Sequence, residues 1–417
     1  MQYICDLHPH SKYARACSPK LTLENMDKWA KIKGINIVGT GDFSHPAHFK
    51  EIAAKLEEAY PGLYRLKSSE SGTLFMLTNE ISCIYNQGGK VRRLHICVWA
   101  PNLEFVRKLN EALTKRGCKL GSDGRPIIGM SAKELLKICL AIDENHLTVP
   151  AHAWTPWFAI FGSKSGFDSI EECYEDLSPH IYAIETGLSS DPPMNWRLKS
   201  LDKVMLVSNS DAHSLENLGR EANVFELSEP SFNEIYQLLK NKDKKKFLYT
   251  IEFFPEEGMY HFDGHRECGV SFSPPQTKKA QGICPKCKKP LTIGVLNRVD
   301  SLADREEEKI NKDNFVPYKS LVPLQEIIAD AFGVNKNSKK VQAEYFNLVK
   351  AGGSEFNVLL NLSLEELSKI TLPNVAEGIK RVRENKVKLI PGFDGQYGKV
   401  EIFSKEEKGV NSQNSLF

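Results

Sequence analysis

The chain has 417 residues, of which 41% are hydrophobic, 26% charged and 9% aromatic, and its 55 Lys plus Arg against 53 Asp plus Glu give a net charge of +2. That length exceeds what one hydrophobic core ordinarily organises, so two or three domains are expected, and the composition excludes the disordered, fibrous and disulfide-scaffold classes. A near-neutral balance also excludes a globally basic nucleic-acid binder, which leaves any phosphate-binding surface local.

Residues 1–250 alternate short apolar runs with amphipathic stretches, as repeated β-α units do. A strand through Tyr3-Ile4-Cys5 ends at Asp6-Leu7-His8, a helix runs from Leu23 to Lys33 and is stopped by Gly34, and Ile35–Val38 makes the next strand. Further strands are predicted at Arg93–Trp99, Thr148–Ala151, Tyr182–Glu185 and Val204–Ser208, and Ser131-Ala132-Lys133-Glu134 has the capping-box form ahead of a helical run. This pattern fits an α/β barrel or a doubly wound sheet. The lysine cluster Lys240–Lys246 and the Pro255–Gly258 stretch mark an exit near residue 250. Residues 251–300, rich in His, Cys, Gly and Pro, are too sparse in apolar residues to fold without metal. Residues 301–400 read as helical, with Ser338–Lys350, a second capping box at Ser363-Leu364-Glu365-Glu366 and a charged helix after Pro373, and 401–417 as a flexible tail. With no leader pattern and no run of about 18 apolar residues, a cytoplasmic protein without a membrane partner is expected.

The residues that carry chemistry stand where predicted strands end: His8 and His10, Asp42, Glu80, His95, His152, and Asp211 with His213. Strand ends of a barrel converge on one face, so groups spread along two hundred positions would meet in one pocket. Imidazole with carboxylate suits zinc, manganese or iron, and a bridging carboxylate such as Glu80 would bring two ions close enough to activate water against a phosphoester. Trp154, Trp157 and Phe158 follow His152 directly and could stack against bases. Asp191, in the loop after Glu185, is a candidate for proton handling. Lys339, Lys340, Lys380, Arg381, Arg383, Lys386 and Lys388 give basic helices suited to phosphates.

Seven cysteines are scattered singly, whereas Cys268, Cys284 and Cys287 join His265 in two x2-spaced pairs separated by fifteen residues, which predicts a tetrahedral structural zinc.

In the order and spacing of His8-Pro9-His10, Gly41-Asp42, Asn79-Glu80, His95, His152 and Asp211-Ala212-His213, the chain resembles the polymerase-and-histidinol-phosphatase (PHP) superfamily. The resemblance implies a distorted (β/α)7 barrel with two or three divalent metals: His8, His10, Glu80 and Asp211 for the first, Glu80, His95 and His152 for the second, and His213 for a third. Two departures bear on that third ion. The second motif reads Asp42-Phe43 where the superfamily has Asp-His, and Ser11–Cys17 lacks a histidine; His45 is a candidate substitute. With Gly264-His265-Arg266-Glu267-Cys268, Ile283-Cys284-Pro285-Lys286-Cys287 and Pro391–Gly398, the full length is similar to the endonuclease Q family. That similarity implies a PHP barrel followed by a zinc module and a helical C-terminal domain. It also implies DNA as partner, single- or double-stranded, with incision on the 5′ side of uracil, hypoxanthine, xanthine and abasic sites. From their positions in this sequence, His8, Asp191 and Asp211 are the catalytic candidates. The alternative that the barrel alone allows is a phosphatase of small phosphate esters. The tail Gln413–Phe417 carries a degenerate hint of a sliding-clamp contact.

Overall fold

The computed structural model describes residues 1–404 and 406–408. β1 (Gln2–Asp6) leads to α1 (Leu23–Lys33), whose Thr22 side chain accepts from the Asn25 N–H at the start and whose last turn closes on Gly34 in the left-handed region. β2 (Ile37–Gly39) then pairs parallel to β1. α2 (Pro46–Lys55), β3 (Leu56–Tyr60) and β4 (Leu63–Leu66) precede a long hairpin of β5 (Leu74–Gln87) and β6 (Lys90–Ala100). The hairpin turns at Gly88-Gly89, both at positive φ, which is the turn chemistry that lets two long strands run in register. Its length exceeds the strand predicted at Arg93–Trp99, because the polar outer half, Tyr85 to Arg92, offers no hydrophobic period and is held by its partner strand instead.

α3 (Leu103–Lys115), β7 (Ile127–Ile128), α4 (Ala132–Ile142) with its Ser131/Glu134 capping box, β8 (Leu147–Pro150), α5 (Ile170–Tyr174), β9 (Ala183–Glu185), α6 (Pro192–Trp196), β10 (Met205–Val207), β11 (Ala222–Glu226), α7 (Phe232–Lys240) and β12 (Phe247–Glu252) complete the first unit. The sheet runs β12-β11-β1-β2-β5, continues through β6 to β8, and β9 lies beside β8 with β10 parallel to it. The Asn223 side chain on β11 accepts from the Ser208 N–H beyond β10, closing the circuit into a distorted α/β barrel. The period of two sorts the strand residues. Cys5, Ile37, Met76, Cys97, Val149, Ala183, Met205 and Phe225 form one buried cluster, and their neighbours Val38, Phe75, Val98, Ile184 and Val224 join the helices in another.

β13 (Asp263–His265), β14 (Val270–Phe272) and α8 (Pro274–Lys279) build a small module whose apolar centre is only Val270, Cys284 and Leu291. After α9 (Val295–Leu302), β15 (Tyr318–Ser320) returns to pair parallel with β12. The expected boundary at residue 250 therefore falls within a strand, because pairing at a sheet edge depends on a partner about seventy residues away. α10 (Leu324–Phe332), α11 (Lys339–Gly352), α12 (Leu364–Ile370) with the Ser363/Glu366 capping box, and α13 (Pro373–Arg383) form the helical region. It docks on the barrel through a buried Lys33–Glu355 pair at 2.7 Å, with the Tyr345 hydroxyl donating to Glu355 at 2.6 Å. β16 (Lys388–Ile390) and β17 (Lys399–Glu401) make a final hairpin, after which the Ile402 and Phe403 N–H groups donate to Asp330, Glu407 pairs with Arg381 and Lys408 with Asp330, so the described chain is tied down through Lys408. Gln413–Phe417 lies outside the described residues, and among those described no helix is long and apolar enough to cross a membrane.

Candidate metal centre

Six of these residues converge, although Glu80 and His95 lie midway along β5 and β6 rather than at strand ends, because the hairpin continues past them. Donor atoms of His8, His10, Glu80 and Asp211 lie within 4.8 Å of one another, as do those of Glu80, His95 and His152, so Glu80 belongs to both groups. Its Oε1 stands 2.7 Å from His95 Nδ1 and 3.1 Å from His152 Nε2, while Oε2 stands 3.2 Å from His10 Nε2. Asp211 Oδ1 is 3.1 Å from His10 Nε2. Burial opposes ionisation of Glu80, yet His95, His10, His152 and His8 around it hold its carboxyl well below the usual carboxylate range. Burial pushes His95 below its ordinary value, favouring the neutral imidazole that can offer a lone pair.

The backbone is bent to make this happen. Asp42, His152 and Asp211 all adopt positive φ, +47°, +30° and +46°, as does Phe158 at +62°. Such conformations cost on the order of 1–3 kcal/mol for a non-glycine residue and persist where the surroundings enforce them. Gly187 is required beside His152, since a Cβ there would lie 2.6 Å from the His152 Cβ.

Behind the donors stand residues that orient them. Glu185, buried at the end of β9, accepts from His8 Nδ1 at 3.0 Å, from the His152 N–H at 2.8 Å and from Asn209 Nδ2 at 3.0 Å. Burial opposes a charged ring, but Cys97 and Glu185 push His8 well above its ordinary value, so Nε2, which is buried, lacks a hydrogen-bond partner and faces Glu80 at 3.7 Å, is the nitrogen that would give up its proton to an ion. Asp42 accepts from His10 Nδ1 at 3.0 Å and from the Ser11 N–H and hydroxyl at 2.6 and 2.7 Å, so here it fixes the ring of His10. A buried imidazole nitrogen facing Glu80 and Asp211, with its other nitrogen fixed by Glu185, belongs to a donor set that fits divalent metal ions.

Other expected residues stand apart. The His213 ring lies 4.7 Å from that of His10, but its Nδ1 is held by the Asp211 carbonyl at 2.8 Å. His45 stacks on Tyr13 at 4.5 Å. Asp191 caps α6, accepting from the Met194 N–H at 3.0 Å, and desolvation pushes its carboxyl up to about 7. Trp154 is fully buried, packs on Phe161 and donates to Asn195 at 2.8 Å, which leaves no face for a base; its apolar bulk won out over its position next to His152. Phe158 lies against the His95 ring at 4.6 Å, and Trp157 reaches the surface with its edge on Tyr260 of the following segment. Arg383 is spent on the carbonyls of Val358, Leu359 and Leu362, and Arg381 on Glu377 and Glu407, so neither is free for phosphate.

His265, Cys268, Cys284 and Cys287 form a second donor group, with all four ligand atoms within 4.8 Å of one another. Desolvation opposes ionisation of Cys284, but the backbone N–H groups of Cys287 and Lys286 outweigh it and lower its thiol, as a coordinating thiolate needs.

Glu185 and Arg125, whose Nη1 is 3.1 Å from Glu80 Oε2, were missed in the sequence. Glu185 obeys the strand-end rule that selected the others and could have been taken with them. Arg125 sits in a polar loop with no periodic signal.

A family model described as the MJ0043 C-terminal domain matches residues 323–386. The protein YqxK of Bacillus subtilis is 28% identical over 377 residues, 88% of this chain and 89% of that one. MJ0043 of Methanocaldococcus jannaschii is 35% identical over 271 residues, 62% of this chain, and the match spans only 33% of its length. Among solved structures, the lesion-specific endonuclease PfuEndoQ of Pyrococcus furiosus superposes with a TM-score of 0.85 at 31% identity, covering 100% of this chain and 99% of that one. An endonuclease Q complex with a 27-mer duplex bearing an abasic lesion at its active site superposes at 0.84 with 32% identity, covering 98% of both chains.

Proposed function

The chain belongs to the endonuclease Q family, and we propose that it is a metal-dependent DNA repair endonuclease that hydrolyses the phosphodiester 5′ of a damaged nucleotide. Abasic sites and the deaminated bases uracil, hypoxanthine and xanthine are the substrates of this reading. The observation that carries it is Glu80, fully buried and shared between two donor groups of histidines and Asp211.

In this reading His8, His10, Glu80 and Asp211 hold one divalent ion and Glu80, His95 and His152 a second, with His213 beside the first as the donor for a third. Bound ions would supply an activated water and neutralise charge on the phosphoryl oxygens. The protein's own work is positional. Glu185 and Asp42 fix the tautomers of His8 and His10 so that each presents one free nitrogen. Phe158 packs against the ring of His95. Trp157, exposed and close in sequence to His152, is an aromatic available to stack on a displaced base. Asp191 caps α6 with a carboxyl raised to about 7 by burial, and in this reading it is a proton-handling candidate at the rim after β9 rather than part of the donor set. The Cys3His group holds one structural zinc that organises residues 263–291.

The test is incision of an end-labelled duplex carrying a single abasic site, deoxyuridine or deoxyinosine, with manganese or zinc added, for the wild type and for His8→Ala and Glu80→Ala. One cut 5′ to the lesion, lost in both variants, is the expected result. An intact duplex with metal-loaded wild type, together with turnover of a chromogenic phosphate monoester, would replace this reading with a small-ester phosphatase.

A further inference from the structure

The loop between α3 and β7 is pinned to the metal centre from both sides. Asp123 Oδ1 accepts from the backbone N–H groups of Arg15 at 3.0 Å and of Arg125 at 3.1 Å. The Gly124 N–H donates to the Tyr13 carbonyl at 2.9 Å, and a Cβ on Gly124 would lie 2.6 Å from the Asp42 carboxylate. Only glycine lets the backbone lie this close to the residue that orients His10. On the far side the Pro126 carbonyl accepts from the Ser82 N–H at 3.0 Å.

Arg125 is therefore aimed by its neighbours rather than free to swing. Its Nη1 comes within 3.1 Å of Glu80 Oε2, and its side chain remains 24% exposed where Glu80 is wholly buried. Among the described residues this is the side-chain hydrogen bond that Arg125 makes. A guanidinium has five N–H donors in a planar fork, so most of its capacity is left toward the open side of the site. The Glu80 carboxylate offsets part of the Arg125 charge, but it is shared with two donor groups that would hold further cations, so another anion on the open side is favoured. The forked geometry matches the oxygens of a phosphate diester.

We propose that Arg125 is a catalytic residue that binds a non-bridging oxygen of the phosphodiester to be cut, steadying its charge as the bond to the leaving oxygen lengthens. This rests on the endonuclease reading above. It differs from a purely structural partner of Glu80 in that its effect depends on the charge of one phosphate in the substrate.

The experiment uses full-length, metal-loaded protein and two abasic duplexes, one natural and one with the phosphate at the cut position replaced by a neutral methylphosphonate. Arg125→Ala is expected to bind the natural duplex about tenfold more weakly and to lower kcat by about 10²–10³-fold, as loss of one preorganised donor does. Its affinity for the methylphosphonate duplex should equal that of the wild type, its metal content should be unchanged, and Arg125→Lys should recover part of the binding. Equal weakening on both duplexes, or loss of metal together with activity, overturns the proposal. Failure of the wild type to cut the natural duplex sinks the endonuclease reading instead, while the binding comparison still decides the role of Arg125.

Discussion

Replacing Glu185 with Ala should weaken metal binding without dismantling the donor set. The carboxylate takes three hydrogen bonds, from His8 Nδ1, the His152 N–H and Asn209 Nδ2, at 2.8–3.0 Å. Without it the His8 ring loses the group that keeps the proton on Nδ1 and the lone pair on Nε2, and the turn carrying His152 at positive φ loses an anchor. Outer partners of metal-binding histidines are commonly worth 10–100-fold in affinity, or about 1.4–2.7 kcal/mol. The assay is incision rate against free metal concentration in a chelator buffer, with a fluorescent competitor reporting binding directly. The variant's curve should move ~10–100-fold to higher metal, with the rate at saturating metal returning to within a few-fold of wild type. Glu185→Gln, which keeps one acceptor oxygen, should fall between. A curve in the wild-type position, or a rate loss that excess metal does not repair, would refute the orienting role.

Lys33→Met should leave Glu355 buried with its charge unpaired, destabilising the attachment of the helical region by about 3–5 kcal/mol; urea titration and limited proteolysis between β15 and α10 measure it, and unaltered stability would count against the pair as the anchor. Glu252 is fully buried, and burial pushes its carboxyl from 4.5 up to about 8, next to Glu221, which is also raised. Because the folded-state value lies above the unfolded one, this stabilising contribution is full below about pH 4.5 and is lost as pH rises toward 8, on the order of a few kcal/mol. Glu252→Gln should flatten the stability profile over that window and be more stable than wild type at pH 8; a parallel profile would show that the pair does not govern it. Cys284→Ser should remove one equivalent of tightly held metal and raise hydrogen exchange across residues 263–291, because Val270 and Leu291 alone make too small a core. Protection unchanged after that substitution would show that the module folds without its ion.

The sequence alone determined which residues could do chemistry. His8, His152 and Asp211 stand just past apolar runs, and strand ends of a barrel must share a face whatever the details of its closure, whereas Glu80 lies midway along β5 and reaches the site on the same strand face as Met76. The two x2-spaced pairs at His265–Cys268 and Cys284–Cys287 were equally legible, because a tetrahedral ion demands ligands at short, fixed spacing. Local capping chemistry at Ser131 and Ser363 likewise needs only four consecutive residues. Tertiary structure decided what each donor does. Asp42 and His10 are thirty-two residues apart, and nothing local says that the carboxylate meets Nδ1 and Ser11. Trp154 and Trp157 are near neighbours in the chain, yet one is enclosed against Phe161 and the other reaches the surface, since that choice is made by packing partners distant in sequence. Arg125 reaches Glu80 only because Gly124 and Pro126 are pinned by three other segments, and a loop without a period carries no sign of such pins. Strand ends and ligand spacings are short-range properties written in the chain, whereas the orientation of a side chain is a long-range one that only the closed barrel fixes.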